Sequence, residues 1–348
     1  MKTQWAVWGS GGIAQRRTIP EGILKAGNAE LVAVYDVNAD VNQAVAERFG
    51  AKACRNELEL LDCPCDILYI ATPVDRHCDQ VIRSAEAGKH VFCEKPLGLT
   101  IQEAETIVAI CRNRNVKLGV GYMMRFHAYH QEALRLVQEG RIGVPVLGRA
   151  QLSCWYPPIA GAWRQDPSRG GGGSLMDMGS HCIDLLEMFF GRVQRVTGFT
   201  GNLVQNYRSE DTAVVLLEFE NHAKGMVDNL FNVPDVGSKN RLELYGSQGS
   251  ILAEGTIGQG EAGEMIASLQ DTIKSYDAQQ SRTDMDFMRI APPPINMYRA
   301  EIEAFSQAVL DNTDPPVGGE AGLWNQKVLA AAYNSAKTGR AVSMNEVA

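Results

Sequence analysis

The chain has 348 residues, of which 45% are hydrophobic and 21% are charged, and its formal net charge is −8. This length exceeds the roughly 250 to 300 residues at which a single core stops growing, so we expect two domains. The acidic balance argues against a broad surface for nucleic acid or an anionic membrane, since both need clustered lysine and arginine.

The first third of the chain alternates short apolar segments with segments of helical periodicity. Strands are predicted at 4–8, 30–35, 66–71, 90–92 and 117–120, and helices at 40–49 and 75–87. This alternation predicts an α/β fold with a doubly wound parallel sheet, a Rossmann domain, over residues 1–124.

A glycine-rich turn, GSGGIA at 9–14, follows the first predicted strand. Gly9, Gly11 and Ala14 occupy the positions of a dinucleotide fingerprint, and we include Gly12 and Ile13 in the predicted cofactor site. A tight turn without side chains lets backbone N–H groups approach a pyrophosphate at a helix N-terminus. A glycine turn without a ligand is the alternative, because the chain has 34 glycines.

Polar residues follow the next two strands. Asp36 follows the second strand, where a carboxylate can accept both ribose hydroxyls and repel a 2′-phosphate, so NAD is the predicted cofactor. NADP stays possible, because Arg16 or Arg17 could reach toward a phosphate. Thr72 and Pro73 follow the third strand, at the sheet edge where ligands bind.

The pattern changes near residue 125. After a helix at 129–139, strands are predicted at 144–155, 193–202, 212–220, 223–232, 241–245 and 249–253. We therefore expect residues 125–348 to form a C-terminal α/β domain with a large mixed or antiparallel open sheet, which binds substrate and forms oligomers. A loop or irregular helix is predicted at 255–294, and amphipathic helices at 297–310 and 319–338.

The strand segment DTAVVLLEFE at 211–220 is apolar on both faces. Val215 and Leu217 share one face, and Val214 and Leu216 share the other. Such a sheet is expected to carry helices on one face and a partner subunit on the other, which favours a homodimer or homotetramer.

Asp177 and His181 lie four residues apart in DMGSH, behind four glycines at 170–173. In a helix both side chains would share one face and could reach the same reacting group. Together with the dinucleotide motif, this pair indicates alcohol oxidation or carbonyl reduction. The alternative is a helix-start histidine bonded to backbone and a carboxylate favoured by the helix dipole.

Five motifs resemble the Gfo/Idh/MocA oxidoreductases in type and order. They are GSGGIA at 9–14, ATPVDRH at 71–77, GKHVFCEKPL at 88–97, WRQDPSRGGGGSLMDMGSH at 163–181 and SAKTGR at 335–340. The resemblance implies a Rossmann domain, a second domain with an open sheet, frequent assembly through that sheet, and NAD(P)-dependent chemistry on sugars, inositols or related polyols.

The resemblance also assigns roles to individual residues. Glu94 and Lys95 match the EKP motif, whose lysine sits beside the nicotinamide and the reacting oxygen, and Asp177 and His181 match the remaining catalytic pair. It thus implies Lys95, Asp177 and His181 as catalytic residues, with Glu94, Lys95 and His77 at the cofactor.

The chemistry fits these residue types. Oxidation of a secondary alcohol needs a base near pH 7, and His181, with an ordinary pKa of about 6.5, is the best match. Asp177 can orient that base or the substrate hydroxyl, and Lys95 can stabilise negative charge on the oxygen. Since no further ligands follow at a zinc-dehydrogenase spacing, we expect no metal.

Aromatic side chains and the guanidinium groups of arginine suit a hydroxyl-rich substrate. The predicted substrate-binding residues are Lys95, Tyr122, Arg125, Trp163, Arg164, Asp177 and His181, with Trp155, Tyr156 and Tyr298 as lesser candidates. Packing in a core or interface is the alternative for each aromatic residue.

We predict an NAD(P)-dependent enzyme that transfers hydride between nicotinamide C4 and a secondary alcohol or ketone of a sugar, anhydrosugar, inositol or related polyol. The alternatives are an NAD-dependent glycoside hydrolase and a non-catalytic sugar- or NAD-sensing regulator. Neither a membrane-spanning run nor a secretory leader is evident, so we expect a cytoplasmic protein. Its eight scattered cysteines are expected to be reduced and mostly buried.

Overall fold

The protein is described from a computed structural model, which covers residues 1–270, 276, 278–279 and 286–347. The chain forms two compact units. The first contains residues 1–123, 161–172 and 296–327, and the second contains residues 124–160, 173–295 and 328–348. The predicted domain ranges, 1–124 for cofactor binding and 125–348 for substrate binding and oligomerisation, stay a prediction.

Fifteen strands lie within the described residues. They are β1 (Thr3–Trp8), β2 (Ala29–Tyr35), β3 (Lys52–Ala53), β4 (Ile67–Ile70), β5 (His90–Cys93), β6 (Leu118–Val120), β7 (Pro145–Ser153), β8 (Val193–Gly201), β9 (Thr212–Phe219), β10 (Lys224–Leu230), β11 (Arg241–Gly246), β12 (Gly249–Glu254), β13 (Glu264–Leu269), β14 (Met288–Ile290) and β15 (Val342–Ser343).

The same part of the chain contains nine α-helices. They are α1 (Ala39–Phe49), α2 (Glu57–Leu61), α3 (His77–Glu86), α4 (Ile101–Asn113), α5 (Ala128–Gln138), α6 (Pro167–Gly170), α7 (Ser180–Phe190), α8 (Met297–Leu310) and α9 (Gly319–Thr338). Two further segments, Ala14–Ile23 and Leu175–Gly179, are wound with the wider π spacing. None of the described helices is long and apolar enough to span a bilayer.

The first unit is built on a six-stranded parallel sheet. Its strand order is β3-β2-β1-β4-β5-β6, the order of doubly wound dinucleotide-binding sheets. The carboxyl ends of parallel strands meet at one edge, so the segments after β2, β1, β4, β5 and β6 follow one another along that edge. The predicted residues Asp36, Gly9, Thr72, Lys95 and Tyr122 lie there in that order.

Aromatic packing fixes the core of this sheet. Trp5 of β1, Phe92 of β5 and Phe305 of α8 are almost fully buried. Their ring centroids lie 5.2 to 5.9 Å apart in tilted or edge-on arrangements, as aromatic pairs prefer. Gly119 of β6 leaves room for the Phe305 ring, because a Cβ there would lie 2.6 Å from it.

The second unit contains a nine-stranded mixed sheet in the order β14-β13-β12-β11-β7-β10-β9-β8-β15. β7 and β10 pair in parallel, and the other neighbours are antiparallel. Gly148 of β7 allows α7 to approach, because a Cβ there would lie 2.8 Å from Phe190 and 2.9 Å from Leu186. The predicted α/β fold with an open second sheet is confirmed.

One predicted segment needs correction. We predicted a loop or irregular helix over 255–294, but β13 and β14 lie within it. β13 pairs with β12, and β14 pairs with β13, so these strands extend the sheet edge through distant pairing. Part of the predicted stretch, from 271 to 285, lies largely outside the described residues.

Candidate active site

The glycine turn after β1 has the backbone that the fingerprint predicts. Gly9 and Gly12 have φ angles of +86° and +56°, a left-handed region that favours glycine. A Cβ on Gly9 would lie 2.8 to 2.9 Å from Thr72 and Ala71, whereas a Cβ on Gly12 would have no atom within 4 Å. The turn therefore packs against the end of β4 at Gly9 and leaves open space at Gly12.

The Asp36 carboxylate is oriented by backbone amides. One oxygen accepts the N–H of Gly11 at 2.9 Å, and the other accepts the N–H of Asn38 at 3.0 Å. Asn38 in turn caps α1, because its side chain accepts the amides of Asp40 and Val41. The acid is thus fixed beside the glycine turn.

His77 links two segments at the same edge of the sheet. Its Nδ1 lies 3.0 Å from the carbonyl oxygen of Pro96, and its Nε2 lies 3.0 Å from that of Thr72. Burial lowers the pKa of His77, so the neutral ring donates to one carbonyl at a time. This geometry favours an indirect role, in which His77 holds the backbone near the predicted residues Thr72 and Pro73.

Glu94 and Lys95 directly follow β5. Glu94 accepts a hydrogen bond from the Tyr69 hydroxyl at 2.6 Å, and that hydroxyl lies 2.9 Å from Thr18 Oγ1. Burial raises the pKa of Glu94, while Tyr69 and the charge of Lys95 oppose that shift. A Cβ on Gly121 would lie 3.1 Å from the Glu94 carboxylate, so a glycine gives this acid its space.

Besides Lys95, three predicted substrate-binding residues belong to the first unit. Tyr122 is 1% exposed and follows β6, while Trp163 and Arg164 lie in a short helical turn before α6. The Arg164 guanidinium stacks over the Trp163 ring at 4.1 Å from its centroid. This pair combines an apolar face with a forked donor.

Asp177 and His181 lie on one continuous helical segment of the second unit. Asp177 is in the π-wound turn Leu175–Gly179, and His181, 6% exposed, is the second residue of α7. The stretch from Asp177 to His181 is therefore helical, which is the condition under which we expect the two side chains to share one face. Single π turns are rare in helices and are often found at functional sites.

Arg125 forms a salt bridge with Asp184, a residue that was not predicted from the sequence. Its Nε and Nη2 donate to the two oxygens of Asp184 at 2.8 and 2.6 Å. Burial raises the pKa of Asp184, and the Arg125 charge opposes that shift. Asp184 lies on α7 three residues after His181, so the pair helps to fix the predicted catalytic helix. A substrate contact by Arg125 stays a prediction.

A second residue that the sequence did not single out, Glu210, lies beside the start of the same helical segment. Its carboxylate accepts backbone N–H groups of Gly173 and Leu175 and the hydroxyl of Tyr333. The acidic pair at 210–211 directly before a buried strand is the only sequence signal for it. Among the described residues, no cluster of three histidine, cysteine or acidic side chains could hold a metal ion.

The first unit fits an NAD(P) cofactor. Left-handed glycines, open space at Gly12 and an oriented carboxylate at Asp36 provide a place for a pyrophosphate and a ribose. Together with the strand order, these features define a dinucleotide-dependent enzyme of the doubly wound class.

Comparison with known proteins identifies the family. Residues 3–122 match the profile described as "Oxidoreductase family, NAD-binding Rossmann fold", and residues 130–252 match the "GFO/IDH/MocA C-terminal domain". The chain belongs to the GFO/IDH/MocA oxidoreductases, so the predicted family, enzyme class and NAD(P) cofactor are confirmed.

Relatives match along nearly the whole chain. A 1,5-anhydro-D-fructose reductase of Ensifer adhaerens is 26% identical and covers 98% of both chains. A myo-inositol 2-dehydrogenase of Thermotoga maritima is 29% identical and covers 92% of both. The crystal structure of an aldose-aldose oxidoreductase from Caulobacter crescentus, complexed with glycerol, has a TM-score of 0.87 at 25% identity and covers 99% of this chain and 100% of that one.

Proposed function

We propose that this enzyme oxidises a secondary alcohol, or reduces the matching ketone, of a sugar, anhydrosugar, inositol or related polyol, with NAD preferred over NADP. The observation that carries the proposal is the position of Asp177 and the buried His181, four residues apart on one helical segment. The substrate class is supported by the reductase and dehydrogenase relatives named above.

Each proposed catalytic residue has one chemical task. His181 takes the hydroxyl proton during oxidation and returns it during reduction. Asp177 orients that imidazole or the substrate hydroxyl, and Lys95 donates a hydrogen bond and positive charge to the reacting oxygen. When bound, NAD(P) supplies the acceptor or donor of hydride.

Cofactor binding is proposed for the glycine turn and the segments after β2, β4 and β5. The residues are Gly9, Gly11, Gly12, Ile13, Ala14, Asp36, Thr72, Pro73, Glu94 and Lys95, with His77 acting through the backbone. Asp36 supports NAD, because its fixed carboxylate would repel a 2′-phosphate. Substrate binding is proposed for Tyr122, Arg125, Trp163 and Arg164 together with the catalytic residues.

We also propose that the chain forms a homodimer or homotetramer through the outer face of the second sheet. That face, opposite α7, exposes Phe199, Leu216 and Ile266, with 69%, 49% and 37% of each residue accessible. Exposed apolar groups of this kind mark protein interfaces. Light scattering should show an oligomer, and a monomer at every concentration would contradict this part of the proposal.

The test of the function is a substrate panel. The protein is incubated with NAD or NADP and sugars, inositols, anhydrosugars or glycosides, and nicotinamide absorbance and products are followed. Formation of a keto product with net nicotinamide reduction supports the proposal. A hydrolysed glycoside without net reduction would identify a glycoside hydrolase, and binding without turnover of any compound would identify a sensor.

A further inference from the structure

Glu210 holds the start of the helical segment that carries Asp177 and His181. The amide of Gly173 lies 2.9 Å from both Glu210 carboxylate oxygens, and the amide of Leu175 lies 3.0 Å from Oε1. The hydroxyl of Tyr333, from α9, donates to Oε1 at 2.8 Å. All of these residues belong to the second unit, and Glu210 is only 9% exposed.

The backbone of Glu210 contacts the same place. Its carbonyl oxygen accepts the amide of Ser174 at 3.0 Å. A Cβ on Gly173 would lie 2.0 Å from that carbonyl oxygen, so only glycine allows this approach. The Gly173 carbonyl in turn accepts the amide of Asp177 at 2.9 Å. A continuous chain of hydrogen bonds therefore runs from Glu210 through Gly173 to Asp177.

These contacts provide hydrogen-bond acceptors for backbone amides at the start of the helical segment. The first amides of a helix have no partner within it, and a carboxylate there both accepts their hydrogen bonds and matches the helix dipole. A buried acid from outside the segment supplies the missing acceptors.

We propose that Glu210, supported by Tyr333, is a positioning residue for the reaction. It fixes the first turn of the helical segment, so that Asp177 and His181 keep the orientation that proton transfer needs. This inference rests on the proposed function of that pair. Burial raises the pKa of Glu210, and the hydrogen bonds that its carboxylate accepts from Tyr333, Leu175 and Gly173 oppose that shift. Because these donors all point at the carboxylate, we propose that it acts in the ionised form.

The substitution Glu210→Gln tests the proposal. Glutamine keeps the volume but turns an NH₂ group toward at least one of the donors. We expect kcat to fall about 10- to 100-fold, because small displacements of catalytic groups cost this much. The Kd for NAD should stay within about twofold, because the proposed cofactor residues lie in the other unit. Glu264→Gln, at an exposed position of β13, is the matched control and should leave kcat unchanged.

A double-mutant cycle separates positioning from general stabilisation. In a His181→Ala background, Glu210→Gln should lower the residual kcat by only about twofold, since the group that it positions is gone. Tyr333→Phe keeps the carboxylate and removes one donor, so it is the second variant if Glu210→Gln does not fold. We expect a smaller loss of kcat from it, with the same non-additivity.

The outcomes are distinct. Full multiplicative losses in the double variants, or an unchanged kcat in both single variants, would overturn the positioning role while leaving the proposed function intact. Wild-type turnover by His181→Ala alone would instead overturn the proposed function of that residue, and this inference with it.

Discussion

Alanine at Gly9 should destabilise the first unit more than alanine at Gly12, although both glycines are left-handed. At Gly9 the new Cβ would lie 2.8 Å from Thr72 Cγ2, and 2.9 Å from the Ala71 carbonyl carbon and the Thr72 nitrogen. Two of these three atoms belong to the backbone that directly follows β4, so they cannot rotate away. At Gly12 the same Cβ meets nothing within 4 Å.

The two substitutions share one cost and differ in another. A non-glycine residue in the left-handed region costs about 1 to 2 kcal/mol, and this applies to both positions. Overpacking against fixed neighbours adds about 1 to 3 kcal/mol, and this applies to Gly9 alone. We therefore expect the free energy of unfolding to fall by about 1 to 2 kcal/mol for Gly12→Ala and by about 2 to 5 kcal/mol for Gly9→Ala.

Urea unfolding followed by tryptophan fluorescence measures this difference. Trp5 and Trp8 are buried in β1, directly before the turn, so they report on this unit. Titration with NAD should also show weaker binding to Gly9→Ala, because the displaced segment lies at the proposed cofactor edge. Equal losses of stability in the two variants would refute the described packing of the turn against β4.

Three further predictions concern other parts of the molecule. Asp36→Asn removes the charge that repels a 2′-phosphate, so the ratio of the NADP Kd to the NAD Kd should fall about tenfold or more, and an unchanged ratio would count against the NAD preference. Burial lowers the pKa of His130 to about 3, so below pH 6.5 the unfolded chain binds a proton that the fold excludes, and stability falls as the pH falls. Between pH 7 and pH 5, the free energy of unfolding measured with urea should fall by about 2 kcal/mol less for His130→Gln than for the exposed control His222→Gln. Equal losses in the two variants would contradict this expectation. Asp184→Asn leaves the Arg125 guanidinium without its carboxylate, and we expect the free energy of unfolding to fall by about 3 kcal/mol; a loss below about 1 kcal/mol would be typical of a surface pair.

Local periodicity predicted the regular elements well. The predicted helices at 297–310 and 319–338 have the same bounds as α8 and α9. Five strands of the parallel sheet agree to within one residue, because short apolar runs between turn residues leave few other structures. The two-residue strand β3 was not predicted. The helix at Ala14–Ile23 lies where the dinucleotide fingerprint implies a helix N-terminus, but its bounds and its π spacing were not predicted, since it contains Pro20.

Two strands at the edge of the second sheet, β13 and β14, were not predicted. β13 contains Ala267 and Ser268, which are weak strand formers, and it exists through pairing with β12. The contacts of Glu210 with Gly173 and Tyr333 join residues 37 and 123 positions apart. The sequence could show an acidic pair before a strand, but only the fold shows which backbone amides it meets.

The most direct test of the central claim is to separate NAD binding from turnover in Lys95→Ala. We expect kcat to fall about 100-fold or more, because the reacting oxygen loses its stabilising charge. NAD should still bind through the proposed contacts of the glycine turn and Asp36, with a Kd that rises much less than kcat falls. The matched control is Lys25→Ala, an exposed lysine of the same unit, which should behave as the wild type. Turnover by Lys95→Ala at the wild-type rate on the same polyol would contradict the proposed chemistry.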